Sequence, residues 1–199
     1  MNGRPVAYWV ATVSAIGLAV MPAHAGSPCS FSPCSYALDA QSSVKARVSF
    51  MGLSSKTAGF PLLLGRMMIQ PGKPQGIDLD VQIDARALTA SDANIASRLK
   101  SPAFFDVTRF PTIRFHGQSM AMTGDRSATV SGQLTARGVT RPSVLRVTFA
   151  TPPAHMNGHD PLALTGSTVI DRRDFGMTAW PMVVGREVTI TLDARMVPG

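Results

Sequence analysis

Strict alternation of apolar and polar residues recurs along this chain, and it constrains the fold more than any other feature. Val188, Ile190, Leu192, Ala194 and Met196 interleave with Thr189, Thr191, Asp193 and Arg195. Ile77, Leu79, Val81 and Ile83 alternate without exception with Asp78, Asp80, Gln82 and Asp84. Val44, Ala46, Val48 and Phe50 share one face, with Lys45 and Arg47 on the other. The same period runs through Ala128–Ala136 and Leu145–Phe149, with less regular runs at 62–70, 119–123 and 162–170. Successive side chains of a strand point to opposite faces, so each run is a strand with one dry and one wet side. Pro71-Gly72-Lys73-Pro74, Pro152-Pro153 and Asn157-Gly158 supply turns between them. About eight antiparallel strands of this kind close into a barrel or stack as a sandwich.

A membrane-spanning barrel would turn its apolar face outward and carry aromatic girdles at both interfaces. After the leader described below, this chain has one Tyr (Tyr36) and one Trp (Trp180), which leaves an apolar interior as the expectation. A single helix is predicted between Thr89 and Ser101. Ser91, Asp92 or Asn94 can cap it, Ile95 and Leu99 form an i,i+4 apolar pair, and Arg98 and Lys100 suit its C-terminal end. Pro102 ends it. The ring-rich stretch Ser101-Pro-Ala-Phe-Phe-Asp-Val-Thr-Arg-Phe-Pro-Thr-Ile-Arg-Phe115 follows, dense enough to plug one end of a barrel.

The first 25 residues are not expected in the fold. Arg4 opens a basic start, Val6–Val20 is apolar, and Ala23-His-Ala25 is a small-x-small cleavage pattern, predicting a secretory leader cut after Ala25 and export. Residues 26–35 read as an arm carrying Cys29 and Cys34, and residues 36–199 as one barrel domain. In an oxidising compartment the two cysteines can pair, although so short a loop contributes only about 2 kcal/mol. The formal charge of +7 falls by one when Arg4 leaves. Its cations are dispersed rather than clustered with exposed rings, which argues against a nucleic-acid partner and leaves a membrane surface as a weaker one.

Three stretches carry a family resemblance. The helix and its Ser-x-x-Phe-Phe-Asp-Val…Phe-Pro-Thr-Ile-x-Phe sequel, the segment Gly132-Gln-Leu-Thr-Ala-Arg-Gly-Val-Thr-Arg-Pro142, and the turn Thr168-Val-Ile-Asp-Arg-Arg-Asp-Phe-Gly176 occur in the order seen in YceI-like proteins. The chain resembles that family from about Tyr36 to its C-terminus. The resemblance implies a periplasmic protein with an extended lipocalin-like eight-stranded barrel, with the helix as plug or lid, holding a polyisoprenoid or similar long apolar chain. Three departures stand out. Arg98 occupies a position where relatives carry His, Asp171 stands for Asn, and Ala179–Gly185 is shorter than the family loop.

An eight-stranded barrel is just wide enough either to be filled by side chains or to hold one small ligand. Ala46, Ala128, Gly132, Ala136 and Ala194 are too small to meet across it. Methionines, among them Met51, Met67, Met68, Met120, Met122 and Met182, offer adaptable lining. The expected ligand contacts are Phe50, Phe60, Leu79, Val81, Phe104, Phe115, Val130, Leu134, Phe149, Trp180 and Met182. Without the resemblance, a core filled by Phe and Met is an equal reading. The cargo classes are a polyisoprenoid, a prenyl quinone or a fatty-acyl chain. The competing roles are a filled structural or stress-related module and an accessory to a membrane cytochrome or quinone enzyme. A second copy of the chain is a further partner to test. No cofactor or metal is expected and no catalytic residue is assigned: His155-Met-Asn-Gly-His159 lies on a turn that does not aim both rings together, His116 falls on a polar face, and no nucleophile elbow or phosphate loop occurs.

Overall fold

The computed structural model describes residues 34–70, 73–153 and 159–199. The expected leader, nearly all of the arm, the Cys29–Cys34 bridge and His155 lie outside the described residues. Eleven strand segments form one antiparallel sheet: β1 (Cys34–Leu38), β2 (Ser43–Phe50), β3 (Ser54–Phe60), β4 (Leu63–Gln70), β5 (Lys73–Asp84), β6 (Thr89–Ala90), β7 (Thr112–Met122), β8 (Ser127–Ala136), β9 (Val139–Phe149), β10 (Leu162–Asp171) and β11 (Val184–Pro198). The sheet closes on itself through β1 and β11, giving an eight-membered ring β1-β4-β5-β7-β8-β9-β10-β11. The alternation thus resolves as a barrel and not a sandwich.

The three extra segments are the upper halves of bent strands. β2 continues β1 along the same edge of β11, pairing with Val184–Asp193 where β1 pairs with Met196–Pro198. The bend between them is held by Ser42, whose hydroxyl donates to the Arg195 carbonyl and accepts from the Arg195 amide. β3 continues into β4 across Pro61, which has no amide to donate. β5 turns through a 3-10 segment, Ala85–Ala87, where the Asp84 carboxylate accepts from the Arg86 amide, and then reappears as β6. β6 pairs with β3 only at Ala58↔Ala90 and Gly59↔Thr89. Above that pair, the wall between β3 and β7 has no strand.

The single helix, α1 (Ala93–Lys100), and the ring-rich loop close this gap. Asp92 caps the helix, accepting from the Asn94 amide at 2.6 Å and the Ile95 amide at 3.3 Å. α1 buries no residue fully; Ile95, Ala96 and Leu99 are half-buried on its inner side. It therefore serves as a lid and not as a packed core element.

Local chemistry explains the tight upper rim. Between β8 and β9, Arg137 and Gly138 have φ of 51° and 73°, the pair of left-handed residues that a two-residue type I′ hairpin requires. A Cβ on Gly138 would also meet the Phe110 ring at 2.7 Å. Arg137 ties this hairpin to the loop and the β10–β11 connection by donating to the Pro102 carbonyl at 2.7 Å and to the Gly176 carbonyl. Gly117 and Gly132 face each other across β7 and β8 beside a bulge. A side chain at Gly132 would land on the His116 carbonyl oxygen, so the close approach of these strands depends on its absence.

Burial along the barrel axis is graded. At the lower end, Tyr36, Met67, Met120, Phe149, Leu162 and Met196 are all 3% exposed or less and pack together. On β11, inward residues lose burial on climbing: Met196, Ala194 and Leu192 are buried, whereas Ile190 and Val188 are only half-buried. On β2, Val44 is buried but Ala46, Val48 and Phe50 are half-buried, although they point inward. An inward apolar side chain that stays accessible is facing a void.

Candidate functional site

The void is a run of three chambers down the barrel axis. The upper chamber, about 320 Å³, sits in the gap between β3 and α1. Its walls are Ala46, Val48 and Phe50 of β2, Lys56–Ala58 of β3, Ile95, Arg98 and Leu99 of α1, Phe104, Phe105 and Trp180 of the loops, and Met177, Val184 and Val188. A middle chamber of about 110 Å³ lies below, walled by Phe60, Ile83, Ile113, Phe115, Leu134 and Ala136 among others. Ala46, Phe105, Arg172, Met177 and Val188 line both and form the neck between them. A lower void of about 30 Å³ shares Val81, Leu145 and Leu192 with the middle chamber. The upper chamber alone is at the small end of ligand-sized cavities. The lower void holds little more than a water.

Rings shape the entrance. Phe104 meets Trp180 edge-on, with centroids 6.1 Å apart, and Phe105 meets Phe60 edge-on at 5.7 Å. The Arg98 guanidinium lies over the Trp180 ring at 4.9 Å, and the Lys56 ammonium over Phe50 at 5.4 Å. Arg98 thus braces the mouth. Trp180 has a φ of 53°, and its carbonyl accepts from the amides of Val183 and Val184.

One cation lies deep inside. Arg172 is 3% exposed, and its guanidinium donates to the carbonyls of Gly185 (2.8 Å), Val184 (2.9 Å) and Met177. Burial lowers its pKa, as does the charge of Arg173, but a guanidinium keeps its proton at any physiological pH. Three carbonyls satisfy it in place of a carboxylate, so it anchors the Met177–Gly185 connection to the neck. Asp171, its neighbour, instead faces outward to Arg186 at 2.7 Å; the Arg173 amide and the Arg186 guanidinium hold its carboxyl below the usual range. In the middle chamber the buried hydroxyls of Ser143 and Thr168 pair with each other at 3.3 Å, so that apart from Arg172 the rest of the lining is apolar.

The expected site residues distribute unevenly. Phe50, Phe104 and Trp180 line the upper chamber; Phe60, Phe115 and Leu134 line the middle one. Val81 lines the middle chamber and the lower void, while Leu79, Val130 and Phe149 line the nearly filled lower void and neither of the chambers above it. Met182 does not line the cavity: it follows Pro181 in the turn before β11 and is 93% exposed. Most of the expected methionine lining is likewise displaced. Met67 and Met120 point inward, but Met68 is the next residue along its strand and so faces out, Met122 sits at a strand end, and Met51 lies in a turn. Met177 supplies the thioether at the neck. Ala46 and Ala136 leave space as expected, whereas the Gly132 gap is taken up by the approach of Gly117. Phe105 belongs to the ring-rich stretch whose rings the sequence offers to an apolar ligand, whereas Met177 and Arg172 carry no such signal. Ile95 and Leu99 were detectable through their i,i+4 spacing, but no local signal turns Arg172 inward.

Among the described residues, no group of three or more His, Cys, Asp or Glu side chains could hold a metal ion. Comparison with known proteins gives a consistent picture. The model of the YceI-like domain matches residues 36–196. A UPF0312 protein of Pseudomonas fluorescens is 29% identical over 138 residues, covering 67% of this chain and 70% of the relative, and one of Pseudomonas syringae pv. syringae is 27% identical over 139 residues with the same coverage. Among solved structures, Burkholderia cenocepacia BcnA superposes with a TM-score of 0.71 at 21% identity, covering 79% of this chain and 98% of that one. A polyisoprenoid-binding domain from Saccharophagus degradans gives a TM-score of 0.65 at 14% identity, covering 83% and 99%. By its barrel and by the match over nearly all its described residues, the chain belongs to the YceI-like domain family.

Proposed function

We propose that this protein binds one long apolar lipid tail, of a polyisoprenoid, a prenyl quinone or a fatty-acyl chain, and carries it through the periplasm without chemical change. The observation that carries this reading is a pair of largely apolar chambers stacked at a shared neck of Ala46, Phe105, Met177 and Val188, where the one charge, Arg172, is tied up by backbone carbonyls. The S. degradans neighbour, described as a polyisoprenoid-binding domain, supports the ligand class, and the leader expected over residues 1–25 supports export. The packed lower third bears on tail length, because a tail that descends must end near Val81 and Leu145, and any further length stays in the upper chamber or outside.

Burial of one CH₂ contributes about 0.8 kcal/mol, so each five-carbon isoprene unit brings roughly 3–4 kcal/mol. Association costs about 4–15 kcal/mol before any gain appears. One or two units therefore bind weakly and several bind well. The test is mass spectrometry of organic extracts from the purified exported protein, followed by displacement with quinone analogues of increasing tail length. A stoichiometric lipid, displaced better by longer tails, is the expected result. An empty protein that takes up no lipid, or equal potency for short and long tails, overturns the proposal in favour of a structural module.

A further inference from the structure

The mouth of the upper chamber carries the two most exposed large apolar side chains of the described residues, with two more beside them. Leu53 is 95% exposed, Met182 93%, Met51 64% and Trp180 44%. They come from two turns that lie side by side: the Met51 amide donates to the Val183 carbonyl at 2.8 Å, and Phe50 and Val184 are register partners. Phe50, Trp180 and Val184, at the roots of these turns, line the chamber. Single exposed apolar residues need no explanation, but a contiguous group at the opening of an apolar cavity marks an interaction site.

The same opening is cationic. Lys56 and Arg98 stand over its rings, and Arg47 is held close by, its Nε donating to the Ser55 hydroxyl at 2.8 Å. Among the described residues, none of the three is paired with a carboxylate; the arginines that do hold carboxylates are Arg86, Arg114, Arg186 and Arg195. No carboxylate lines the upper chamber. A second copy of the chain is a poor occupant, because a two-fold pairing through this mouth sets Lys56 and Arg98 against the same cations of the other copy. A bilayer containing anionic phospholipid matches both features, with headgroup phosphates for the cations and the acyl boundary for the apolar tips.

We infer that this protein docks mouth-down on an anionic phospholipid bilayer, inserting Leu53 and Met182, with Met51 and Trp180 beside them and Lys56 and Arg98 at phosphate level. Docked in this way, the upper chamber opens onto the acyl region, so a tail passes between bilayer and barrel without crossing water. The route for the tail rests on the lipid reading above; the docking itself does not.

The test is co-flotation of the purified protein with vesicles of phosphatidylglycerol and phosphatidylethanolamine, against vesicles of phosphatidylcholine alone. Binding to the anionic vesicles that weakens as salt is raised is expected. The double variant Leu53→Glu, Met182→Glu should lose about tenfold or more of that binding, since each apolar tip withdrawn from the interface costs at least that order. Leu64→Glu, a control at a 76% exposed position on the outer wall of β4, should bind like the parent. Both mouth residues lie outside the core, so an unchanged melting temperature shows that the double variant is folded. The variant Lys56→Gln, Arg98→Gln should lose the preference for phosphatidylglycerol. Equal binding to both vesicle types at all salt concentrations, or a double Glu variant that binds like the parent, overturns the inference. So does a dimer that the Glu pair dissociates. Docking without lipid uptake from detergent solution would spare the docking surface and sink the carrier reading; uptake without docking would do the reverse.

Discussion

Ala46 offers a sharp test of the hollow neck. It points inward from β2, pairs with Ala58 and Ile190 on the flanking strands, and lines both larger chambers. Ala46→Leu adds three carbons. In a filled core such an insertion forces strain and costs about 1–3 kcal/mol. Here the carbons enter empty apolar space, where three buried methylene equivalents contribute about 2.4 kcal/mol before the loss of leucine rotamers, about 0.5–1 kcal/mol. The net gain of about 1.5 kcal/mol raises the melting temperature of lipid-free protein by roughly 3–6 °C for a domain of this size. The same side chain obstructs the neck. Excluding one isoprene unit from the middle chamber removes roughly 3–4 kcal/mol, so long-tailed ligands should bind about a hundredfold more weakly or worse. Calorimetry of the delipidated protein and a displacement titration read the two effects separately. A lowered melting temperature with unchanged lipid affinity would refute the reasoning, because it would mean that the neck is already full.

Other perturbations have equally definite outcomes. Arg172→Met should destabilise by about 3 kcal/mol or more in chemical denaturation, because it strands the carbonyls of Met177, Val184 and Gly185, and Arg172→Lys should recover only part, a single ammonium being unable to span all three. Gly132→Ala should cost at least about 2 kcal/mol and weaken amide-exchange protection at Gly117 and His116, since the new methyl meets the His116 carbonyl. Asp80 is held below the usual carboxylate range by its hydrogen bond from Arg114, and Asp171 by the Arg173 amide and Arg186. Lowered native pKa values mean stability that is complete above the unfolded carboxylate range and lost as pH falls through the native values. Urea midpoints should therefore hold steady near neutrality and drop in acid, less steeply in Asp80→Asn; a midpoint that drops equally in the variant would remove Asp80 from the account.

The local rules were written in the chain. Alternation at Ile77–Asp84 and Val188–Met196 marks strands and their dry faces, because period two is a property of the extended backbone itself. Asp92 and the Ile95–Leu99 spacing mark the helix for the same kind of local reason. Small residues at Ala46 and Ala136 marked where space would be left. Only the tertiary structure decided how that space is distributed. Whether Ala46 faces a void or Met67 a packed floor depends on strands far apart in sequence and on bends such as the 3-10 turn at Ala85–Ala87, which interrupts the wall beside β3. A turn's geometry likewise sends Met182 into solvent and Arg172 into the neck, against what their side-chain polarities suggest. Residue pattern determines which face of each strand is dry; the distance between dry faces is set by closure of the whole ring, and a ligand responds to that distance.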